Sequence, residues 1–318
     1  MRTLVVGLGR RGGDVVAKLP LERLPDGEVL FADTDPEDLE RRPEGVSRLR
    51  LGSQVPEEEV TRNDLAFAAR AAEAERPALE ERLVGTDLVV LVAGLGGGTG
   101  AGAGAAIAGM ARDLGVPSIA LVTRPFSLEG EDRVRRGLRG YRRSDEAADL
   151  TVPFAQDALL HLVSRVTRIR ELMSVADEFV LVAIEGLHAL TEHSGREGLQ
   201  ALVDTASTGA FAYGVSDETR GLGEALEYAL SCPFVDGLSL RKTSGLGVTI
   251  LSRETMEEGE VGRALARLAA TTSTDAGLLA APIVRPELDH AVLVSLLLTG
   301  DLGEPATRQD LWVPGPSG

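Results

Sequence analysis

Asp87-Leu-Val-Val-Leu-Val-Ala-Gly-Leu-Gly-Gly-Gly-Thr-Gly-Ala-Gly-Ala-Gly104 is the stretch on which the fold turns. Its first half, Leu88 to Ala93, is an uncharged apolar run of the length of a strand buried on both faces. Its second half sets Gly96, Gly97 and Gly98 side by side ahead of a small-residue run that suits a helix. Adjacent glycines are costly inside a helix, so the segment reads strand, loop, helix. Leu88 to Ala111 is long enough to cross a bilayer, but its eight glycines would leave backbone groups unpaired in lipid. No membrane insertion is expected. Glycines let several N–H groups converge on one centre, and the helix start adds partial positive charge. The Thr99 hydroxyl can donate to a phosphate oxygen. With no Gly-Lys-Ser/Thr, this is not a Walker loop. It is an anion cradle of another kind, with Gly96, Gly97, Gly98, Thr99 and Gly100 as its candidate residues.

Working outward, the N-terminal half alternates strand and helix signals. Leu4-Val5-Val6 runs into Gly7-Leu8-Gly9-Arg10-Arg11-Gly12-Gly13, which matches G-x-G-x-x-G. Val29 to Ala32 stops at Asp33, and Ile119 to Val122 is a fourth apolar run. Helical patterns cover Asn63 to Leu83 and Gly100 to Leu114. This alternation predicts an α/β fold, a doubly wound parallel sheet that binds ligands at the C-terminal ends of its strands. The first glycine loop with Asp33 also admits an NAD-type dinucleotide enzyme, Asp33 holding a ribose. That alternative does not explain the richer second loop.

Asp157 to His193 reads as helical almost throughout, with a break expected near Ser174. Val248 to Leu251, Leu278 to Ala281 and Val292 to Leu298 then read as strands, with a helix over Glu260 to Ala270. The expected organisation is a nucleotide-binding domain at 1–160, a central helix region at 161–193, a smaller α+β domain at 194–303 and a short flexible tail at 304–318.

The 318 residues, 43% of them apolar, suffice for two cores. A formal charge of −16 speaks against nucleic acid as a partner. Cys232 stands alone, which excludes an intrachain disulfide and suits a buried core position. No leader pattern is visible, and a cytoplasmic location is expected. Six arginines between Arg133 and Arg143 lack aromatic interleaving beyond Tyr141. They suit a solvated helix face or polymer contact better than a nucleic-acid patch. His161, His188, His193 and His290 show no metal-like clustering with cysteines or carboxylates.

Gly96 to Gly102 is similar to the signature of the tubulin/FtsZ family. Thr123-Arg-Pro-Phe-Ser-Leu-Glu-Gly130, with Arg133 after it, resembles that family's next loop, in which Glu129 and Arg133 would meet the sugar and phosphate region. Ala32-Asp-Thr-Asp35 resembles its second loop. Ser174 to Leu190 resembles its central helix, whose start contacts the base; Asp177 or Glu178 would be that contact. Gly245 to Leu251 resembles the first strand of its C-terminal domain. The resemblance covers about residues 3–303 and is most specific in the first half. It implies a pocket for GTP or GDP built from Gly7, Gly9, Gly12, Gly13, the second glycine loop, Glu129 and Arg133. It also implies head-to-tail filaments, and a triphosphate brings Mg²⁺ with it.

Three features depart from the family pattern. The Asn-x-Asp-x-x-Asp loop that positions the hydrolytic water is missing. Ser194-Gly-Arg-Glu-Gly-Leu-Gln-Ala-Leu-Val-Asp204 stands there, leaving Glu197 or Asp204 as the only substitutes. Leu51 to Val60 carries Glu57, Glu58 and Glu59 where small residues sense the γ-phosphate. Arg10 and Arg11 occupy positions that favour small residues; they add phosphate contacts, point to solvent or narrow the pocket. The expectation is an FtsZ-like, self-assembling cytoskeletal protein with absent or weakened GTP hydrolysis. An active GTPase and a non-polymerising regulator of a paralogous FtsZ-like filament are the alternatives. The chain as read carries no long linker or adaptor peptide after its last strand, although Trp312 could anchor a partner.

Overall fold

The computed structural model describes residues 1–55, 64–161, 169–236, 238–273 and 275–302. The acidic run Glu57 to Glu59 and the tail bearing Trp312 lie outside them. A six-stranded parallel sheet is built from β1 (Thr3–Leu8), β2 (Glu28–Asp33), β3 (Ser47–Arg50), β4 (Leu88–Gly94), β5 (Ser118–Arg124) and β6 (Leu150–Ala155), in the order β3-β2-β1-β4-β5-β6. The helices of this half are α1 (Gly9–Val16), α2 (Pro36–Glu40), α3 (Leu65–Ala74), α4 (Arg76–Leu83), α5 (Gly98–Asp113) and α6 (Glu131–Ala147). The strand order reverses between β1 and β4, which opens a crevice outside their C-terminal ends.

Pleating explains the continuous apolar runs. Alternate residues point to opposite faces, so Val5, Val90, Val92, Ile119 and Leu121 join the core that contains α1. Leu4, Val6, Leu8, Val89, Leu91 and Ala93 join the core beneath α3 and α5. The predicted helix over Asn63 to Leu83 is two helices. Asp64 caps α3, its Oδ1 accepting from Ala66 N at 2.7 Å and Phe67 N at 3.1 Å. Pro77 lies in the first turn of α4, where a missing N–H costs nothing.

A 35-residue helix, α7 (Ile169–Val203), leads into the second half. It does not break at Ser174, whose hydroxyl bonds back to Arg170 O at 3.1 Å within the helix. The kink falls at Gly195, at φ 70°, a left-handed value that glycine adopts freely. Beyond it come β7 (Gly209–Ser216), α8 (Gly221–Leu230), β8 (Thr243–Ser252), α9 (Glu258–Thr271), β9 (Gly277–Val284) and β10 (Val292–Gly300), with sheet order β7-β10-β8-β9. Ala183, Ile184 and Leu187 of α7 share one core with Val90 and Leu121 of the first sheet and Val248 and Leu296 of the second. The helix is therefore a common spine. Cys232 is buried in the same core, and burial pushes its thiol up to about 11, as expected of a packing residue. Among the described residues no helix is long and apolar enough to cross a membrane.

Candidate functional site

The two glycine loops follow β1 and β4, the strands that flank the reversal, and they touch. Gly9 takes φ +65°, and a Cβ there would stand 3.2 Å from Thr99 Cβ. Gly97 is the N-cap of α5 and offers no side-chain cap. The first N–H groups of α5, which no intrahelical carbonyl can satisfy, thus lack the usual side-chain cap. A Cβ on Gly97 would meet nothing within 4 Å.

Two arginines of α6 border this loop. Arg136 Nε donates to Gly96 O at 3.3 Å. Arg133 Nε lies 2.6 Å from where a Gly96 Cβ would be, and it pairs with Glu129 Oε2 at 2.8 Å. Glu129 Oε1 accepts from Phe126 N at 2.8 Å, which fixes the loop after β5. The cradle therefore combines bare glycine backbone, an uncapped helix start and guanidinium groups. That chemistry suits a phosphate.

Asp33 does not stand free as a ribose ligand would. Its Oδ1 accepts from Thr99 Oγ1 at 3.1 Å and from Asp35 N at 3.2 Å, and Thr34 Oγ1 lies 2.9 Å from Thr99 Oγ1. The residue is buried, and burial raises its carboxyl above the ordinary value. Above its raised value the Asp33 carboxylate is charged in folded and unfolded chains, and burial penalises only the folded one. At pH below the ordinary carboxylate value both are neutral. The side-chain oxygen of an asparagine in its place would accept the same two bonds without charge. Asp33→Asn is therefore expected to stabilise the nucleotide-free, divalent-free protein at pH 7. The gain should shrink as pH falls through the raised value and vanish below the ordinary one. Thermal melts of both proteins from pH 7 to pH 4 check this.

The two loop arginines part company. Arg10 remains largely exposed and pairs with Asp38 Oδ2 of α2 at 3.0 Å. Arg11 turns inward across the end of β4 and meets Asp177 Oδ1 at 2.5 Å, an ion pair without the alignment of a hydrogen bond. Asp177 is buried, and its Oδ2 takes Lys18 Nζ at 2.6 Å. Glu178, the other candidate base contact, is exposed and is bonded to the Tyr213 hydroxyl, which burial and this carboxylate together push up. Asp177 is thus the residue of the pair that faces Arg11.

Glu197 and Asp204 lie elsewhere. Glu197 is exposed on the far part of α7, and Asp204 is exposed directly after the helix ends at Val203. Seventeen helical residues separate Asp177 from Ser194, the last before the kink at Gly195, on the order of 25 Å at 1.5 Å per residue. Neither carboxylate reaches its own chain's cradle. The Asp204 carboxylate is held by Gln200 Nε2 at 2.6 Å.

Gln156, Lys18, Arg136 and Thr34 escaped the sequence reading. Thr34 was the one within reach of it, because it lies in the Ala32–Asp35 stretch and follows β2 directly, at the C-terminal end of a parallel strand.

Comparison with known proteins bears on this geometry. The family model described as Tubulin/FtsZ family, GTPase domain, matches residues 2–164. Cell division protein FtsZ of Coxiella burnetii is 27% identical over 304 residues, 93% of this chain and 78% of the relative. An FtsZ dimer of M. jannaschii superimposes with a TM-score of 0.85 at 23% identity, over 94% of this chain and 88% of that one. CetZ2 from Haloferax volcanii, solved as a GTPγS-bound protofilament, gives 0.76 at 19% identity, over 96% and 95%.

Proposed function

The chain belongs to the Tubulin/FtsZ family, and on that premise we propose that it binds GTP or GDP and assembles head to tail with copies of itself, with GTP hydrolysis absent or weakened. The observation that carries nucleotide binding is the uncapped start of α5 behind Gly97, bordered by Arg133 and Arg136 at the reversal of strand order. The N–H groups of Gly98, Thr99 and Gly100 would hold phosphate oxygens, with Gly9 letting the first loop approach Thr99, while Gly12 and Gly13 pack α1 against Val92 and Arg42. Asp33 with the Thr34 and Thr99 hydroxyls offers hard oxygen donors of the kind Mg²⁺ takes.

Self-association is supported by the matched structures, one described as a dimer and another as a protofilament. Weak hydrolysis is supported by the missing Asn-x-Asp-x-x-Asp loop, which leaves Glu197 and Asp204 as the remaining carboxylates. Near the far end of α7, Glu197 and Asp204 would serve the nucleotide of another copy. A general base must come within hydrogen-bond reach of its water, and Asp204 is already held by Gln200.

Sedimentation and phosphate release measured on the same sample test this reading. The expected result is pelleting that requires guanine nucleotide, with phosphate release near the blank. Rapid release that disappears in Asp204→Ala or Glu197→Ala would identify an active GTPase instead. No pelleting alone, but co-pelleting with a related filament, would identify a regulator of that filament.

A further inference from the structure

We propose that Arg11 is a built-in competitor for the base of the nucleotide. Its guanidinium satisfies the groups that would read the base, so every binding event must first displace it. This inference rests on the guanine-nucleotide reading above.

Arg11 is anchored so that its side chain has little room to retreat. It sits in the first turn of α1, next to Gly12, whose Cα abuts the Val92 carbonyl of β4. Its stem crosses Gly94 at the end of β4. A Cβ on Gly94 would lie 2.6 Å from both Cβ and Cγ of Arg11, so only glycine lets the stem pass there. The guanidinium then reaches a largely enclosed position, its side chain 18% exposed. Asp177 of α7 meets it on one side. With its amide turned to satisfy both neighbours, Gln156 accepts from Arg11 Nη2 at 3.3 Å and donates to Arg124 O at 3.1 Å. Gln156 and Asp177 are each about 97% buried or more, which makes them a built site.

Location and chemistry both make this a competition. Arg11 lies between the phosphate cradle and α7. A ligand with phosphates on the start of α5 that extends toward α7 must cross it. Asp177 and the Gln156 oxygen are both acceptors, and Arg11 offers them N–H donors on one planar group. The N1–H and 2-amino edge of guanine also presents planar N–H donors. Adenine has no such edge. The arginine therefore occupies a site suited to guanine by imitating its donor edge.

Removing Arg11 should leave the site intact. Asp177 has two cations, and Lys18 at 2.6 Å still pairs it when Arg11 is gone. Buried charge is thus not left uncompensated, the usual reason such a substitution unfolds a protein.

Calorimetric titration of the wild type, Arg11→Ala and Arg11→Gln with GDP, guanosine and inorganic pyrophosphate tests the proposal. Glutamine keeps the stem over Gly94 but stops short of Asp177, and it covers the case in which alanine disturbs packing. The expected result is a gain of tenfold or more in affinity for GDP and guanosine in both variants, with pyrophosphate affinity unchanged within twofold. GDP binding to the wild type that is unaltered or weakened in both variants would overturn the competitor role while leaving nucleotide binding standing. No GDP binding to any of the three proteins would remove the guanine-nucleotide reading, and this inference with it.

Discussion

Gly97→Glu should abolish nucleotide binding and leave the protein folded. Gly97 has φ −105° and ψ 171°, extended values open to any residue, and a Cβ there meets nothing within 4 Å. The side chain is therefore accommodated. A carboxylate at the N-cap also suits the positive end of α5, by about 0.3–1 kcal/mol. The same charge occupies the phosphate cradle and repels any anion that approaches. Affinity for a fluorescent GDP analogue should fall at least 100-fold, about 3 kcal/mol, while the melting temperature holds or rises slightly. Wild-type affinity in this variant would mean that phosphates do not bind at the start of α5.

The opposite pattern is expected at Gly12, where the fold itself depends on the missing side chain. A Cβ there would lie 2.1 Å from Val92 O and 3.0 Å from Val92 C. Both are backbone atoms of a central strand. Relief requires α1 to move off β4, against a core that includes Val15 and Val16. Overpacking of this kind costs about 3 kcal/mol. Gly12→Ala should show that loss in denaturant unfolding, with a lower midpoint and an unchanged slope. Tolerance of alanine would mean that α1 and β4 are farther apart than described.

These two glycines show where the sequence was readable. The cradle was legible because its glycine density has few other uses, and β1, β2, β4 and β5 were legible because strands buried on both faces leave unbroken apolar runs. β3, Ser-Arg-Leu-Arg, is a four-residue edge strand of intermediate exposure and carries no such signal. β6 contains Pro153, which counts against a central strand; here it lies at the sheet edge, where a missing N–H is tolerated. A break near Ser174 was expected because the helical run is long for a globular helix; instead the Ser174 hydroxyl finds a carbonyl inside the helix, and the kink falls at Gly195.

The base end of the site was legible only in part. Asp177 was identified as one of two candidates, but its partners Arg11, Lys18 and Gln156 come from α1 and the end of β6. Nothing local in the sequence links them. Only the parallel topology, which gathers the C-terminal ends of the strands at one edge, brings them together. The free choice left open for Arg10 and Arg11 was resolved in the same way: Asp38 draws one outward and Asp177 draws the other in.

A crystal structure of the protein grown with GDP tests the phosphate cradle most directly. The expected density places the diphosphate against the N–H groups of Gly98, Thr99 and Gly100, with the Arg11 side chain moved off Asp177. A nucleotide bound elsewhere, with the start of α5 contacting only solvent, would contradict the account.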